Sequence, residues 1–367
     1  MKIAIVHDWI VSLGGAEKVL KEIYSLFPQA DVFTLFYKKS SLIELGIKPE
    51  KVKASFMQKI PFVDKKYRYL LPIMPYAVES LNLTEYDLVI SSSHAFAKGV
   101  LTGSNQIHIS YIHTPMRYAW EMYHRYLRDF RLDRGLRKIL AGYVFNKIRL
   151  WDLATSNRPD YYIANSEVVA KRIRKFYGKD SLVIYPPVDV KKFSVREKKE
   201  DFYLTAGRLV PYKRTDLIVE AFSKMPDKKL VIIGEGPELK KIKSKAGKNV
   251  TVLGHKPKDT LVDYLSKAKA FVFAAEEDFG ILPVEAQACG TPVIAFGRGG
   301  ARETVIEGKT GLFFMEQNGD SIVDAVYRFE KMNLNVFEIR KNAERFSSDR
   351  FRERIKDFIS SVSSVTF

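Results

Sequence analysis

Short apolar runs alternate with segments of helical spacing along almost the whole chain. The apolar runs span four to six residues and are rich in Ile, Val and Phe, which is typical of strands buried on both faces. Segments between them, such as Thr215–Phe222 and Thr260–Lys267, carry apolar residues three or four positions apart, as amphipathic helices do. The pattern predicts two sets of buried strands: Lys2–Val6, Leu88–Ser92, Ile107–Ile112, Asp160–Ala164 and Leu182–Tyr185, and then Phe202–Ala206, Leu230–Ile233, Val250–Leu253, Ala270–Ala274 and Pro292–Ala295. Two such sets predict an α/β protein with two doubly wound, Rossmann-like domains.

A proline pair, Pro186-Pro187, separates the two sets of strands. Proline fixes an extended backbone, and the charged segment Ser194–Asp201 that follows cannot contribute to a core. We therefore predict an N-terminal domain over residues 1–187 and a C-terminal domain over residues 188–344. The last stretch, about residues 345–367, is predicted to form a helix that packs back on the first domain, with an apolar face made by Phe351, Ile355 and Phe358.

The composition is that of a globular protein, and it narrows the possible partners. Of the residues, 46% are hydrophobic and 28% charged, and the single cysteine, Cys289, rules out an internal disulfide. We see neither a signal-peptide pattern nor an apolar run that could span a bilayer, so we expect a cytoplasmic protein. The formal charge of +17 predicts an acidic partner: nucleic acid, an anionic membrane or a phosphorylated substrate.

Two glutamates bracket a glycine in the segment Glu277–Glu285, which follows a predicted strand. A short helix is predicted to start near Pro283, because proline is favoured at the first helical position. Free amides at a helix start attract phosphate, and Gly280 leaves room for a phosphate to approach. Glu277 and Glu285 would repel phosphate, so they are predicted to accept hydrogen bonds from sugar and ribose hydroxyls. The alternative interpretation is that both are solvated turn acids.

A second candidate segment, Gly207–Lys213, lies between a predicted strand and a predicted helix. Arg208 offers a planar fork of donors and Lys213 a compact positive charge. Together they could neutralise a diphosphate leaving group, which is the main electrostatic requirement for breaking a sugar–phosphate bond. The alternative is that they are two ordinary bases on a basic surface.

Three further positions follow strands and add weaker signals. Gly14-Gly15 and Gly234 occupy turns after strands, where backbone amides could face a diphosphate. His113 ends a strand, and ligands of open α/β sheets bind beyond the carboxyl ends of strands. Neither glycine turn has the complete dinucleotide fingerprint, which disfavours an NAD enzyme.

In this order and spacing, Gly207–Lys213 and Glu277–Glu285 resemble the retaining glycosyltransferases of family four. The resemblance covers most of the chain and extends to Gly14–Glu17, Ile112–Thr114, Gly290–Ala295, Gly299-Gly300 and Glu303, whereas residues 38–86 match no motif of the family. It implies the GT-B architecture, in which two Rossmann-like domains face a central cleft. It also implies a reaction that uses no metal and no other cofactor.

The resemblance implies a role for each matching residue. Arg208 and Lys213 would hold the donor diphosphate, Glu277 the hydroxyls of the transferred sugar. Glu285 would bind the ribose, and Gly15 would offer amides to the diphosphate from the other domain. The candidate catalytic residues are therefore His113, Arg208, Lys213 and Glu277, and the candidate donor-binding residues are Gly14, Gly15, Gly234, Phe279, Gly280, Ile281 and Glu285.

Asp278–Glu285 and Arg298–Thr304 are similar in detail to bacterial polysaccharide mannosyltransferases of this family. They imply GDP-mannose as the donor and a lipid-linked saccharide or glycan of surface-polysaccharide biosynthesis as the acceptor. A sugar-nucleotide epimerase or a phosphorylase of the same fold is an alternative. A basic nucleic-acid-binding protein is another, although the sequence has no zinc, RNA-recognition or helix-turn-helix signature.

The positive charge is concentrated in two segments of the predicted N-terminal domain. One spans Arg117–Trp151 and the other Lys59–Tyr76, and in both of them Lys and Arg are interleaved with aromatic residues. Such a composition suits the interface of an anionic bilayer. It predicts peripheral attachment to the inner face of the plasma membrane. The alternative is a solvated basic face whose aromatic side chains pack inward.

Overall fold

The computed structural model describes residues 1–363, and these divide into two compact units. Unit 1 comprises Met1–Pro186 together with the C-terminal segment from Phe351, and unit 2 comprises Pro187–Arg350. Residues 364–367 of the predicted C-terminal helix lie outside the described residues. The division between the units thus falls within the proline pair.

Unit 1 contains a seven-stranded sheet in which every pair of neighbouring strands is parallel. Its strands are β1 (Ile3–His7), β2 (Asp31–Thr34), β3 (Val52–Ala54), β4 (Leu88–Ser93), β5 (Ile107–Ile112), β6 (Tyr161–Ala164) and β7 (Leu182–Val183). They lie in the order β3-β2-β1-β4-β5-β6-β7. The connecting helices are α1 (Gly15–Leu26), α2 (Lys39–Leu45), α3 (Val63–Lys66), α4 (Met74–Glu79), α5 (Tyr123–Asp129), α6 (Gly135–Ala154) and α7 (Glu167–Tyr177).

Side chains that alternate along the central strands fill two hydrophobic clusters, one on each face of this sheet. Ala4 and Val6 of β1 belong to one cluster, whereas Ile3 and Ile5 belong to the other. Successive side chains of a strand point to opposite faces, so a continuous apolar run is required where both faces are covered. The predicted two-sided burial of the strand at the chain's beginning is confirmed.

Unit 2 repeats this topology with six parallel strands. Its strands are β8 (Tyr203–Ala206), β9 (Leu230–Ile233), β10 (Val250–Gly254), β11 (Ala270–Phe273), β12 (Val293–Phe296) and β13 (Gly311–Phe314), in the order β10-β9-β8-β11-β12-β13. Its helices are α8 (Thr215–Ser223), α9 (Leu239–Lys245), α10 (Lys258–Lys267), α11 (Ile281–Ala288), α12 (Ala301–Thr304), α13 (Gly319–Glu330) and α14 (Val336–Glu344).

Both sheets therefore have the strand order of doubly wound nucleotide-binding domains, and the predicted α/β class is confirmed. The strand order reverses between β1 and β4 in unit 1, and between β8 and β11 in unit 2. At such a switch point the loops from the two strands diverge, which leaves a crevice beyond their carboxyl ends.

The last helix, α15 (Ser348–Val362), packs on unit 1. Its buried residues are Phe351, Ile355 and Ile359, and the Phe351 ring lies 5.9 Å from that of Tyr111 on β5. Phe358, which the sequence placed on the buried face, is only partly buried and packs edge-on against Tyr161. Ile359 takes its place because positions 351, 355 and 359 follow the four-residue spacing of one helical face.

Three strands were not predicted from the sequence: β2, β3 and β13. The first two lie in or next to the segment that matched no motif, and each carries charged or polar residues beside its apolar ones. β13 begins at Gly311, where a Cβ atom would lie 1.9 Å from the carbonyl oxygen of Val293 on β12. The glycine that looks like a strand breaker is thus required by the close approach of the neighbouring strand.

Candidate functional site

In unit 2 the two candidate segments follow the two strands that flank the switch point. Gly207–Lys213 follows β8, and Ala274–Gly280 follows β11, which pairs directly with β8. Lys213 and Glu277 are 64 positions apart in the sequence, but the parallel pairing places both loops at one edge of the sheet. This edge is where doubly wound domains bind their ligands.

Lys213 and Glu277 meet across the switch point as an ion pair between Lys213 Nζ and Glu277 Oε1. A 3-10 turn, Pro211–Lys213, carries the lysine, and Arg214 ends it with a left-handed backbone at φ +53°. Arg214 is held in this strained conformation by a 3.3 Å ion pair with Asp216 and a 3.3 Å hydrogen bond to Gln317. The loop geometry that aims Lys213 at Glu277 is therefore fixed by neighbouring side chains.

The environment of Lys213 weakens its hold on a proton. Burial lowers the pKa of Lys213 to about 8, even though the Glu277 carboxylate is beside it. Its ammonium also lies within 6 Å of the centres of the Tyr212 and Phe273 rings. A partly buried, partly dehydrated ammonium interacts with an anion more strongly than one in water does.

The helix α11 begins at Ile281, two residues before the predicted start, so Pro283 is its third residue. Proline is tolerated there because the amides of the first turn have no partner inside the helix. Gly280 precedes the helix at φ +89°, and no side chain caps the start. By contrast, Ser166, Asn318 and Asn335 each cap the start of their helix with a side-chain oxygen. The start of α11 thus has the character of an anion or hydroxyl site.

Glycines allow the loops around this site to pack against one another. A Cβ atom on Gly299, which has φ +67°, would lie 2.4 Å from the carbonyl oxygen of Glu277, and one on Gly300 would lie 2.4 Å from Phe279 Cα. Gly300 also donates its N–H to the Glu277 carbonyl at 2.8 Å. The Gly299-Gly300 turn after β12 therefore supports the acidic loop from behind.

Gly234 has a similar packing role. Its backbone is at φ +150°, and a Cβ atom would lie 1.9 Å from the carbonyl oxygen of Gly207. Its own N–H donates to Gly254 at 2.9 Å, and the Gly207 N–H donates to Ile233 at 2.9 Å. In this structure Gly234 therefore supports the loop that carries Arg208, and its N–H is bonded to Gly254; its predicted role in donor binding stays a prediction.

The remaining candidates of unit 2 differ in exposure. Arg208 is exposed and Ile281 half-buried, whereas Phe279 and Glu285 are buried. Phe279 packs against Phe346 with ring centres 5.4 Å apart, so its ring anchors the loop and only its backbone is placed to act. The roles predicted for these four residues in donor binding stay predictions.

In unit 1, His113 follows β5 and belongs to a polar cluster beyond the carboxyl ends of the strands of the unit 1 sheet. Its Nε2 lies 2.8 Å from Ser92 Oγ, which also lies 3.1 Å from His7 Nδ1. One hydroxyl proton cannot serve both rings, so one histidine accepts and the other donates. Burial lowers the pKa of His113 well below its ordinary value, and His94 and His7 lower it further. Burial also lowers the pKa of His7 to about 3, so both linked imidazoles are neutral at pH 7.

Asp8 anchors this cluster. It is fully buried, and its carboxylate accepts the backbone N–H groups of His94, Ala95, Phe96 and Ala97 at 2.5–3.0 Å. One of its oxygens, Oδ2, also lies 3.1 Å from Nδ1 of the His94 ring. Nearby, His7 Nε2, Thr114 Oγ1 and Tyr118 OH are buried and have no hydrogen-bond partner within residues 1–363. Buried polar atoms without partners mark a place that suits a polar ligand.

The glycine pair of unit 1 starts α1, and its first amide is occupied. Gly14 donates its N–H to Glu17 Oε2 at 2.8 Å, so the carboxylate of the helix's own first turn caps it. Burial raises the pKa of Glu17, while the nearby His94 opposes this shift. Gly15, the first residue of the helix, remains the candidate that could offer an amide.

The sequence did not identify Asp8, His7, Ser92 and His94 as a group with His113. They come from three strands and their loops, so only the strand order brings them together. The one signal was position, because each residue lies at or just beyond the carboxyl end of a predicted strand.

Two family models match successive parts of this chain. "Glycosyltransferase Family 4" matches residues 13–192, and "Glycosyl transferases group 1" matches residues 189–348. The chain belongs to the family-four glycosyltransferases. Its two Rossmann-like units are those of the GT-B fold, as the sequence predicted.

Known relatives agree with this membership at low identity. An uncharacterized glycosyltransferase of Methanocaldococcus jannaschii is 30% identical over 203 residues, which are 53% of this chain and 56% of that protein. A GDP-mannose-dependent monoacylated alpha-(1-6)-phosphatidylinositol monomannoside mannosyltransferase of Corynebacterium glutamicum is 33% identical over 38% of this chain and 45% of that protein. The chain thus spans about half the length of the curated relatives it matches.

Solved structures share the fold over nearly the whole chain. Anabaena HepE, determined in complex with UDP and glucose, has a TM-score of 0.70 at 18% identity and covers 98% of this chain and 100% of its own. The lipopolysaccharide outer core galactosyltransferase WaaB has a TM-score of 0.67 at 19% identity and covers 98% of this chain and 99% of its own. At these identities the likeness concerns the fold alone.

Within residues 1–363, no group of three or more His, Cys, Asp or Glu side chains is arranged to hold a metal ion. In the same range, no helix combines the length and the apolar composition needed to cross a bilayer.

Most aromatic residues of the basic segment Arg117–Trp151 pack inward. Trp120 stacks on Phe176 and donates its indole N–H to Asp152, while Trp151 packs on Phe96 and donates to Glu79. Tyr118, Tyr123 and Tyr126 surround the buried Phe145. Among the aromatics of this segment, only Phe130 and Tyr143 count among the exposed large hydrophobic residues of the described chain.

Proposed function

We propose that this family-four glycosyltransferase is a retaining enzyme that transfers mannose from GDP-mannose to a lipid-linked or glycan acceptor in surface-polysaccharide biosynthesis. The observation that carries the proposal is the Lys213–Glu277 pair at the switch point of unit 2, beside the uncapped start of α11. The GDP-mannose dependence of the Corynebacterium relative supports the choice of donor.

The charged groups of unit 2 suit a departing diphosphate. In the proposed reaction, the bond between the sugar's anomeric carbon and the diphosphate oxygen breaks, and the electron pair leaves with GDP. Arg208, Lys213 and the amides at the start of α11 stabilise that growing negative charge. The acceptor hydroxyl oxygen bonds to the anomeric carbon on the same face, and its proton leaves with the diphosphate.

The ion pair gives Glu277 a second use. A diphosphate competes with Glu277 for the Lys213 ammonium, because both are anions within reach of one cation. Once Lys213 turns to the diphosphate, the Glu277 carboxylate is free to accept hydrogen bonds from sugar hydroxyls. Donor binding thereby replaces one ion pair with two interactions, which favours the complete donor over either of its parts.

Unit 1 supplies the acceptor side in this proposal. Its neutral His113 and the buried unpartnered atoms of His7, Thr114 and Tyr118 can exchange hydrogen bonds with sugar hydroxyls. Neutral imidazoles both donate and accept, as hydroxyl groups do, whereas a charged site would prefer an anion.

Calorimetric titration of the full chain with GDP, UDP and ADP tests the donor site. We expect selective binding of GDP, and a loss of about tenfold or more in affinity in Lys213→Ala, because one charged hydrogen bond is removed. Lys248→Ala, at an exposed position of the same unit, is the matched control. Selective binding of UDP would indicate a UDP-sugar donor in place of GDP-mannose. An unchanged nucleotide affinity in Lys213→Ala would contradict the proposed donor site.

Turnover then tests the reaction class. GDP-mannose and an extract of polyprenyl-linked saccharides are supplied, and the products are separated. Mannose in the lipid fraction supports transfer, and Glu285→Gln should abolish most of it. Conversion of the nucleotide sugar without any acceptor would instead indicate an epimerase.

A further inference from the structure

The outward face of α6 is apolar. Leu136, Ile139, Leu140, Tyr143 and Leu150 are 80%, 70%, 63%, 62% and 55% exposed. Residues three, four and seven positions apart share one side of a helix, so these five form a single stripe. A surface helix normally places charged and polar residues on this side. We call the stripe the α6 outer face.

This exposure does not result from a missing core contact. The opposite side of α6 is already buried against unit 1 through Ala141, Phe145, Ile148 and Asp152. The helix is therefore anchored and cannot rotate to bury both sides at once. Its outer face needs a partner outside the unit, since contiguous exposed apolar surface marks an interaction site.

The surroundings of the outer face are basic. Residues 134–151 contain five bases and no acid. Within residues 1–363, no carboxylate forms an ion pair with Arg134, Arg137, Lys138 or Lys147, and all four are exposed. Lys147 lies in the stripe itself, with its ammonium 5.5 Å from the centre of the Tyr143 ring. A partner of the α6 outer face must therefore present negative charges next to an apolar region.

A second segment of unit 1 has the same composition. Phe62, Tyr69 and Tyr76 are among its exposed residues, together with Lys65, Lys66 and Arg68. Its helix α4 contributes to the same hydrophobic cluster as α6 and is joined to it by the 2.9 Å hydrogen bond from Trp151 to Glu79. Unit 1 thus has a second exposed segment in which apolar and basic side chains are combined.

We propose that the α6 outer face docks unit 1 on an anionic lipid bilayer, with the helix lying in the plane of the interface. Apolar side chains enter the boundary between headgroups and acyl chains, and the flanking bases meet the lipid phosphates. A second copy of the chain would present the same five-base segment, so self-association through this face would bring like charges together. Charge complementarity favours the lipid surface.

Co-sedimentation of the full chain with vesicles tests the proposal. We expect binding to vesicles of phosphatidylglycerol and phosphatidylcholine, and at least about tenfold weaker binding to phosphatidylcholine alone or at high salt. The double variant Ile139→Glu/Leu140→Glu should lose about tenfold or more in affinity for anionic vesicles, because two apolar side chains no longer enter the bilayer.

Ile43→Glu is the matched control, since Ile43 is also a highly exposed apolar residue of a unit 1 helix but lies on α2. Equal binding by the double variant and this control would overturn the proposal. Light scattering that shows a dimeric wild type and a monomeric double variant would also overturn it, because the α6 outer face would then bind a second copy of the chain. GDP binding by all three proteins, which we expect to be equal, separates this inference from the proposed function.

Discussion

In each unit the first and fourth strands along the chain are neighbours in the sheet: β1 and β4 in unit 1, β8 and β11 in unit 2. The loops beyond these strands differ in charge between the two units. In unit 2 the switch point holds a charged pair, Lys213 and Glu277, beside uncapped amides. In unit 1 it holds neutral imidazoles linked through Ser92, and the buried Asp8 uses its carboxylate to bind backbone amides.

The difference shows that one topology serves two kinds of ligand. Strand order determines where a crevice forms, whereas the residues at the strand ends determine what it binds. A charged, partly dehydrated site suits a diphosphate, and a neutral hydrogen-bonding site suits hydroxyl groups. Four predictions test this contrast, beginning with the largest expected effect.

Acid should destabilise unit 1 far more than unit 2. Burial lowers the pKa of both His7 and His108 to about 3, so between pH 6.5 and 3 the unfolded chain binds protons that the folded chain does not. Stability is then lost as the pH falls, by about 1.4 kcal/mol per pH unit for each histidine. From pH 7 to pH 5 we expect these two histidines to cost unit 1 about 4 kcal/mol, and His113, whose pKa burial lowers well below its ordinary value, adds to the loss.

Urea titrations followed by tryptophan fluorescence measure this loss, because Trp9, Trp120 and Trp151 all lie in unit 1. His108→Asn should reduce the loss by about 2 kcal/mol, the share of one histidine, and His124→Asn, at an exposed position, should leave the loss unchanged. A pH dependence that neither substitution alters would show that other groups cause it.

Gly234→Ala should disrupt the donor loops of unit 2. The new Cβ atom would lie 1.9 Å from the Gly207 carbonyl oxygen at φ +150°, so we expect a loss of about 3 kcal/mol or more. Gly254→Ala is the control, because its φ is +72° but nothing lies within 4 Å, and it should cost only about 1 kcal/mol. Hydrogen exchange resolved by unit provides the measurement; similar losses in both variants would contradict the steric argument.

Ser92→Ala should destabilise unit 1 by about 2 kcal/mol, because two buried imidazole nitrogens lose their common partner. GDP binding by unit 2 should not change. Ser25→Ala removes an exposed hydroxyl of the same unit and serves as the control, with no expected effect on tryptophan-detected unfolding. A large fall in GDP affinity in Ser92→Ala would show that the two switch points do not act separately.

Nucleotide affinity should fall as the pH rises through about 8, the pKa to which burial lowers Lys213. The charged lysine binds the diphosphate and the neutral one does not, so we expect about tenfold weaker GDP binding at pH 9 than at pH 7. Lys213→Arg keeps its charge over this range and should show little pH dependence. Equal pH profiles for the wild type and Lys213→Arg would rule out Lys213 as the titrating group.

The candidate loops of unit 2 were predictable because each follows a strand that a short apolar run in the sequence marks by itself. Lys213, Glu277 and Gly280 were all singled out, although the structure starts α11 at Ile281 and gives Gly234 a packing role. What the sequence could not predict was the contact between Lys213 and Glu277. That contact depends on β8 and β11 being neighbours, which periodicity does not specify.

By itself, the sequence determined ten of the thirteen strands in residues 1–363, several of the helices between them and the glycines at the turns, because these depend on side-chain spacing over a few residues. Only the tertiary structure decided that His7, Ser92 and His113 meet, since residues far apart in sequence become neighbours through strand order. It also decided which side of α6 is exposed. Both sides of that helix are apolar, so the pattern alone cannot tell the buried side from the free one, and packing against unit 1 makes the choice.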